Sequence, residues 1–203
     1  MKRILFPALT LLILVGCGTT ANIENSWHDP EAQVDMNKLN KVLVVALVKN
    51  ETHRRAAETR FALLLKGKGV ASYQYFSGDF DIDDEETIKT KLKKEGFDGA
   101  VIMRLADVEK DIKYTPGAAA YPAYYNRFWP YFSNSWGYYN QAGHFETTKK
   151  FTIETNVYSL RKDKLIWSGL TSTSDPASAE KLMKAVAKEV HARMKKDGFI
   201  IAE

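Results

Sequence analysis

Seven consecutive apolar residues, Val42-Leu43-Val44-Val45-Ala46-Leu47-Val48, constrain the fold more than any other stretch of the chain. An apolar run of strand length without polar alternation is expected of a strand covered on both faces, inside a sheet with helices on either side. Helical spacing follows. Asn50 suits a cap, Ala57, Phe61, Leu64 and Leu65 share one face, and Gly67 and Gly69 end the segment. Val70 to Phe76 then reads as a second strand. A helix comes next, with acids at its start, lysines at its end, and Ile88 and Leu92 turned inward. Ala100 to Leu105 reads as a third buried strand.

Beyond Leu105, Asp107, Glu109 and Asp111 alternate with Val108, Lys110 and Ile112, so this extension has one acidic face. The pattern breaks at 115–143, which is rich in Pro, Gly, Asn and Tyr and longer than most connections in compact domains. Ten aromatics crowd into 121–139: Tyr121, Tyr124, Tyr125, Phe128, Trp129, Tyr131, Phe132, Trp136, Tyr138 and Tyr139. They are the candidate interaction residues, because Tyr and Trp combine large apolar area with a polar handle. After the insertion, Phe145, Phe151, Ile153 and Val157 alternate with polar residues, giving a long strand with one wet face. A turn at Arg161-Lys162-Asp163-Lys164 leads to a partner strand, Leu165 to Leu170. Asp175 and Pro176 are expected to open a last helix with Leu182, Val186, Val190 and Met194 inward, and Gly198 to end it. Phe199-Ile200-Ile201 is expected to add an edge strand or pack down. The expected fold is α/β, in the form of an α+β mixed sheet: a βαβαβ unit, the long aromatic insertion, a β-hairpin and a C-terminal helix. All of it falls in a single domain, 41–203.

The N-terminus carries a different message. Lys2 and Arg3 precede an apolar stretch from Ile4 to Val15, and Gly16 is small, the pattern of an export signal at 1–16. The stretch is too short to span a bilayer, which needs about 20 mostly apolar residues. Leu14-Val15-Gly16-Cys17 resembles the lipobox of bacterial lipoproteins, which implies alkylation of the Cys17 thiol by diacylglycerol, cleavage before Cys17, and acyl chains such as palmitate in the anchor. Cys17 is the only cysteine in the chain, so no intramolecular disulfide competes for it. The segment 17–40 is polar and reads as a lipidated tether, within which Trp27-His28-Asp29-Pro30 suggests a turn with Trp27 packed on the domain edge. Gly18, where inner-membrane lipoproteins of enteric bacteria carry Asp, implies the outer membrane if the source is Gram-negative, and no acidic tract follows it, which argues for a domain facing the periplasm.

Charge excludes one class of partner. The chain holds 29 Lys and Arg against 25 Asp and Glu, and removal of Lys2 and Arg3 with the leader lowers the balance from +4 to near +2. Acids and bases are interspersed, so no footprint for nucleic acid or for steering onto anionic lipid is visible. Motif chemistry is equally sparse: no Gly-x-Ser-x-Gly, no phosphate loop and no dinucleotide turn occur. Asp81 to Glu86 departs from a calcium loop, with Glu86 where Gly is required and Leu92 where Glu is required. His28, His53, His144 and His191 are scattered. No catalytic, cofactor-binding or metal-binding residues are assigned. Asn50, His53, Arg54 and Arg55 sit at a strand-to-helix junction of the kind that binds anions, but Arg54 with Glu58 is also an i, i+4 surface pair, which is the favoured reading.

Trp27-x-Asp29-Pro30, the apolar first strand, Arg55-x-x-Glu58, Gly96-Phe97-Asp98-Gly99, the tyrosine-rich insertion, Glu154-Thr155-Asn156-Val157-Tyr158 and Leu165-Ile166-Trp167-Ser168 together resemble bacterial outer-membrane lipoproteins that carry a domain of unknown function. That resemblance covers nearly all the mature chain and implies no site residues. More distantly, the element order is similar to small α/β domains of envelope-assembly lipoproteins, including synthase activators and secretion-channel subunits. The expectation is a non-enzymatic binding or assembly module, attached to the membrane through Cys17, with an envelope protein or glycan as partner. The alternatives are a glycan-acting enzyme using carboxylates such as Asp107 and Glu109, and a structural subunit of an envelope complex.

Overall fold

The computed structural model describes residues 19–76, 85–115, 127 and 144–202. Its centre is a six-stranded mixed sheet. The apolar run forms β3 (Lys41–Leu47), flanked in parallel by β4 (Gly69–Ala71) and β5 (Phe97–Thr115). From β5 outward the pairing is antiparallel, through β6 (His144–Ser159) and β7 (Lys164–Ser174) to the edge strand β1 (Asn22–His28). A short parallel pair, β2 (Val34–Asp35) with β8 (Ile200–Ala202), stands apart from this sheet.

Helices cover both faces unequally. On one face lie α1 (Glu51–Leu64) and α4 (Ala179–Lys196), whose Ala57, Phe61, Leu182, Val186, Val190 and Met194 meet Val42, Val44, Val101, Met103, Ile153 and Trp167. The opposite face is covered by the helical turn α2 (Ser72–Tyr75) and by α3 (Glu85–Lys94), over a smaller core of Leu43, Leu92, Phe97 and Ala100. This explains the unbroken apolar run: alternate residues of β3 serve the two cores. Each fully buried Val or Leu contributes roughly 1.5–3 kcal/mol, and Val44, Val186 and Trp167 are wholly enclosed.

Three departures from the expected layout have local causes. The expected tether, 17–40, already contains β1, paired from Asn22↔Ser172 to His28↔Trp167, and Ala21 is buried in the main core. Asn-Ile-Glu-Asn-Ser-Trp-His is an edge strand with one wet face, so Ile23 is its only apolar residue packed on the core and the apolar signal is faint. The second strand ends at Ala71 rather than Phe76, because the Glu58 carboxylate accepts bonds from Ser72 Oγ (2.7 Å) and Tyr73 N (2.9 Å) and holds the next residues as a helical turn. Ser178, not Asp175, caps the last helix, its hydroxyl accepting from Lys181 N at 3.1 Å. Asp175 instead returns to β6, exchanging bonds with Lys149 through its own N–H (2.8 Å) and its carboxylate (2.7 Å).

Candidate functional site

Cys17 and the ten aromatics Tyr121, Tyr124, Tyr125, Phe128, Trp129, Tyr131, Phe132, Trp136, Tyr138 and Tyr139 lie outside the described residues. What the structure shows is how the fold presents the segments that lead to them. β3 pairs with β5 only as far as Leu47↔Arg104, and β7 pairs with β6 only as far as Lys150↔Ser174. β5 and β6 nevertheless stay paired to Thr115↔His144. The result is a ribbon that outruns β3, Asp107 to Thr115 against His144 to Thr152, and that past Glu109↔Lys150 also outruns β7 and is two-stranded. A bulge between Leu105 and Asp107 marks its root, where an added residue bends and twists a strand.

Directly paired residues share a face, so the register sorts the ribbon's side chains. Leu105↔Ile153, Val108↔Phe151, Lys110↔Lys149 and Ile112↔Thr147 continue the face that α1 and α4 cover. Asp107↔Thr152, Glu109↔Lys150, Asp111↔Thr148 and Lys113↔Glu146 make the other face. The acidic alternation read from the sequence is this second face. Asp107, Glu109 and Asp111 are exposed there, and one Asp107 oxygen accepts from Val108 N at 2.8 Å. Lys150 pairs with Glu24 of β1 at 2.7 Å; this bond, with lesser contributions from Glu109 and Asp107, holds its ammonium above the ordinary lysine range. Among the described residues, no three His, Cys, Asp or Glu side chains gather as a metal-binding group.

The anion-binding candidate at the strand-to-helix junction is committed locally. Asn50 Oδ1 caps α1 by accepting from His53 N (3.0 Å), Arg54 reaches Glu51 (3.1 Å) and Glu58 (3.3 Å), and Arg55 bonds Glu51 (2.8 Å) while lying over the Tyr73 ring. Sequence reasoning missed the depth of Glu58. It is fully buried, and besides Arg54, Ser72 and Tyr73 it accepts from Ala46 N of β3 at 3.0 Å. The available signal was its place on the apolar face of α1, beside Ala57 and three residues before Phe61.

The Trp27-His28-Asp29-Pro30 group is structural in the same way. Asp29 is buried, accepts from Glu31 N (3.1 Å), and pairs with Lys164 Nζ at 2.7 Å. That lysine, before the Glu31 amide, holds its carboxyl below the usual carboxylate range. His28 lies against Phe199, whereas Trp27 is about half exposed on the edge strand. Asp98, of the Gly-Phe-Asp-Gly motif, accepts from Asn40 N and pairs with Arg161, joining the start of β3 to the β6–β7 turn.

An apolar cavity of about 80 Å³ lies between α1, α4 and the sheet, lined by residues that include Phe61, Leu65, Val101, Val190, Met194 and Phe199. Small-molecule sites usually enclose about 300–1,000 Å³, so this is a gap in packing rather than a ligand chamber. No helix among the described residues is long and apolar enough to cross a membrane.

No protein-family model and no curated protein matches the sequence. Solved structures with a similar course of the chain include the PelC dodecamer from Paraburkholderia phytofirmans, at 8% identity over 84% of this chain and 95% of that one, with a TM-score of 0.45. They also include lipoprotein GNA1162 from Neisseria meningitidis, at 10% identity over 77% of this chain and 98% of that one, with a TM-score of 0.38.

Proposed function

We propose that this chain is a lipid-anchored, non-enzymatic binding or assembly module of the cell envelope, held at the outer membrane by lipid on Cys17 and facing the periplasm. One observation carries the reading: Leu14-Val15-Gly16-Cys17 supplies the sole cysteine at the end of a leader-like apolar stretch, and the folded domain begins only four residues later, at the buried Ala21. Two or more acyl chains on one thiol-bearing residue give stable anchoring where a single chain is marginal. A domain so held meets partners near the membrane, and the tyrosine- and tryptophan-rich stretch 121–139 is the segment best suited in composition to bind them. The partner class is an envelope protein or a glycan.

Intact-mass measurement of the protein purified from membranes, set beside its Cys17→Ser variant, tests the anchor. The expected result is diacylglycerol and acyl mass on the parent and none on the variant, which leaves the membrane fraction. An unmodified Cys17 in a mature, membrane-free protein would sink the reading. Deletion of 121–139 tests the binding role. The expected result is loss of partner crosslinking with unchanged thermal unfolding, and unchanged crosslinking would remove that role.

A further inference from the structure

The tether and the ribbon leave the sheet at the same end. Asn22 pairs with Ser172, Ser172 with Thr152, and Thr152 with Asp107, so the first residue of β1 is level with the ribbon's root. Four residue steps separate Cys17 from the buried Ala21, which allows at most about 14 Å of extended chain. Beyond the last β7 pair, the ribbon runs six steps from Glu109 to Thr115, about 20 Å at strand rise. An anchor on Cys17 therefore holds the domain closer to the bilayer than the ribbon is long.

The ribbon's two faces differ as a membrane contact requires. The face shared with the core carries Val108, Ile112 and Phe145 together with Lys110 and Lys149, and no acid. Ile112 is 64% and Phe145 71% exposed. The acids Asp107, Glu109, Asp111 and Glu146 all stand on the opposite face. Apolar side chains interleaved with lysines suit the boundary between acyl chains and anionic headgroups, where lysine stems lie along the apolar surface and their ammonium groups reach phosphate. The same lysines, in the middle of the apolar face, argue against a strand that spans the hydrocarbon.

From this juxtaposition we infer that the β5–β6 ribbon is a membrane-contacting arm, which lays its Val108-Lys110-Ile112 face on an anionic lipid surface while Cys17 holds the domain there. The inference rests on the lipid anchor proposed above. It adds an orientation: the ribbon's acidic face turns to solvent.

The test uses the full-length lipoprotein reconstituted into vesicles of phosphatidylethanolamine and phosphatidylglycerol. Nitroxide labels are placed singly at Ile112→Cys, Glu109→Cys and, on the exposed side of α1, Leu63→Cys. All three positions are exposed, so the fold is not at risk, and unlabelled thermal unfolding verifies that. A label at 112 is expected to gain oxygen accessibility and lose several-fold in accessibility to an aqueous nickel chelate, whereas 109 and 63 remain aqueous. Equal nickel accessibility at all three positions, on protein whose intact mass shows the lipid, would overturn the membrane arm and leave the anchor standing. Dipolar broadening confined to 112 would also overturn it, in favour of a second copy on that face. Absence of lipid on Cys17 would overturn both readings.

Discussion

Gly169 shows how one residue can determine a core. A Cβ built there would lie 2.3 Å from the six-membered ring of Trp167, which lies along its own strand over the glycine. Trp167 is fully buried, so its ring has no open side to move into. Gly169→Ala should therefore cost about 1–3 kcal/mol as overpacking, read as a lower urea midpoint with an unchanged slope. Glu58 is the polar counterpart. Its carboxylate receives Ala46 N, Ser72 Oγ and Tyr73 N as well as Arg54, so Glu58→Ala strands several buried donors and should cost roughly 3 kcal/mol. Glu58→Gln keeps part of the set and should cost less; chemical denaturation of the pair reads the difference. Asp29 makes a pH prediction. Its folded carboxyl titrates below the ordinary value of 3.8 because Lys164 donates to it, and Lys164 is raised above 10.5 by the same contact. The pair's stabilisation is present between those ordinary ranges, and is lost as pH falls through the lowered carboxyl value or rises through the raised lysine value. Lys164→Met should thus lower the melting temperature at neutral pH, with the gap from the parent closing in acid.

At the scale of elements, legibility followed burial. β3 could be read because both its faces are covered, and α4 because Leu182, Val186, Val190 and Met194 are all buried at helical spacing. β1 could not, since an edge strand with one wet face leaves only Ile23 as an inward apolar signal. β4 stops at Ala71, short of the strand pattern that runs from Val70 to Phe76, because Glu58, fourteen residues before Ser72, holds that serine. The alternating acids past Leu105 were legible as a strand face, but the projection was not: how far β5 and β6 outrun β3 and β7 depends on where partners stop. Because the ribbon lies beyond those partners, the core should not need it. Replacing 110–149 with Asn-Gly would leave Glu109 and Lys150, already cross-strand partners, joined by a two-residue turn of favoured type. The shortened protein should melt cooperatively near the parent temperature; a collapse of the transition would show that the ribbon supports the core.

For the whole molecule, the proposed anchor makes the chain length between Cys17 and the fold the decisive quantity. The sequence alone allowed a tether through residue 40, long enough for the domain to wander. With Ala21 buried and β1 starting at Asn22, only four steps remain, and orientation becomes a property of the attachment. Candidate site residues were legible only as composition: Cys17 by its motif and uniqueness, the aromatics by their density, neither by geometry. The membrane-facing side of the ribbon was hidden for another reason. Lys110 and Lys149 interrupt its apolar pattern, and only the pairing of Lys110 with Lys149 puts both on the face of Ile112. If the short tether presses this face to the bilayer, lengthening it should relax the contact. A flexible Gly/Ser insertion of about twelve residues after Thr19 makes the four-step tether roughly fourfold longer and dilutes the ribbon at the surface by about eightfold, following the −3/2 power of length. Membrane fractionation should be unchanged, since the lipid remains. The label at 112 should regain nickel accessibility in proportion, and full retention of its protection would show that the ribbon's own affinity, rather than the tether's length, keeps it on the lipid.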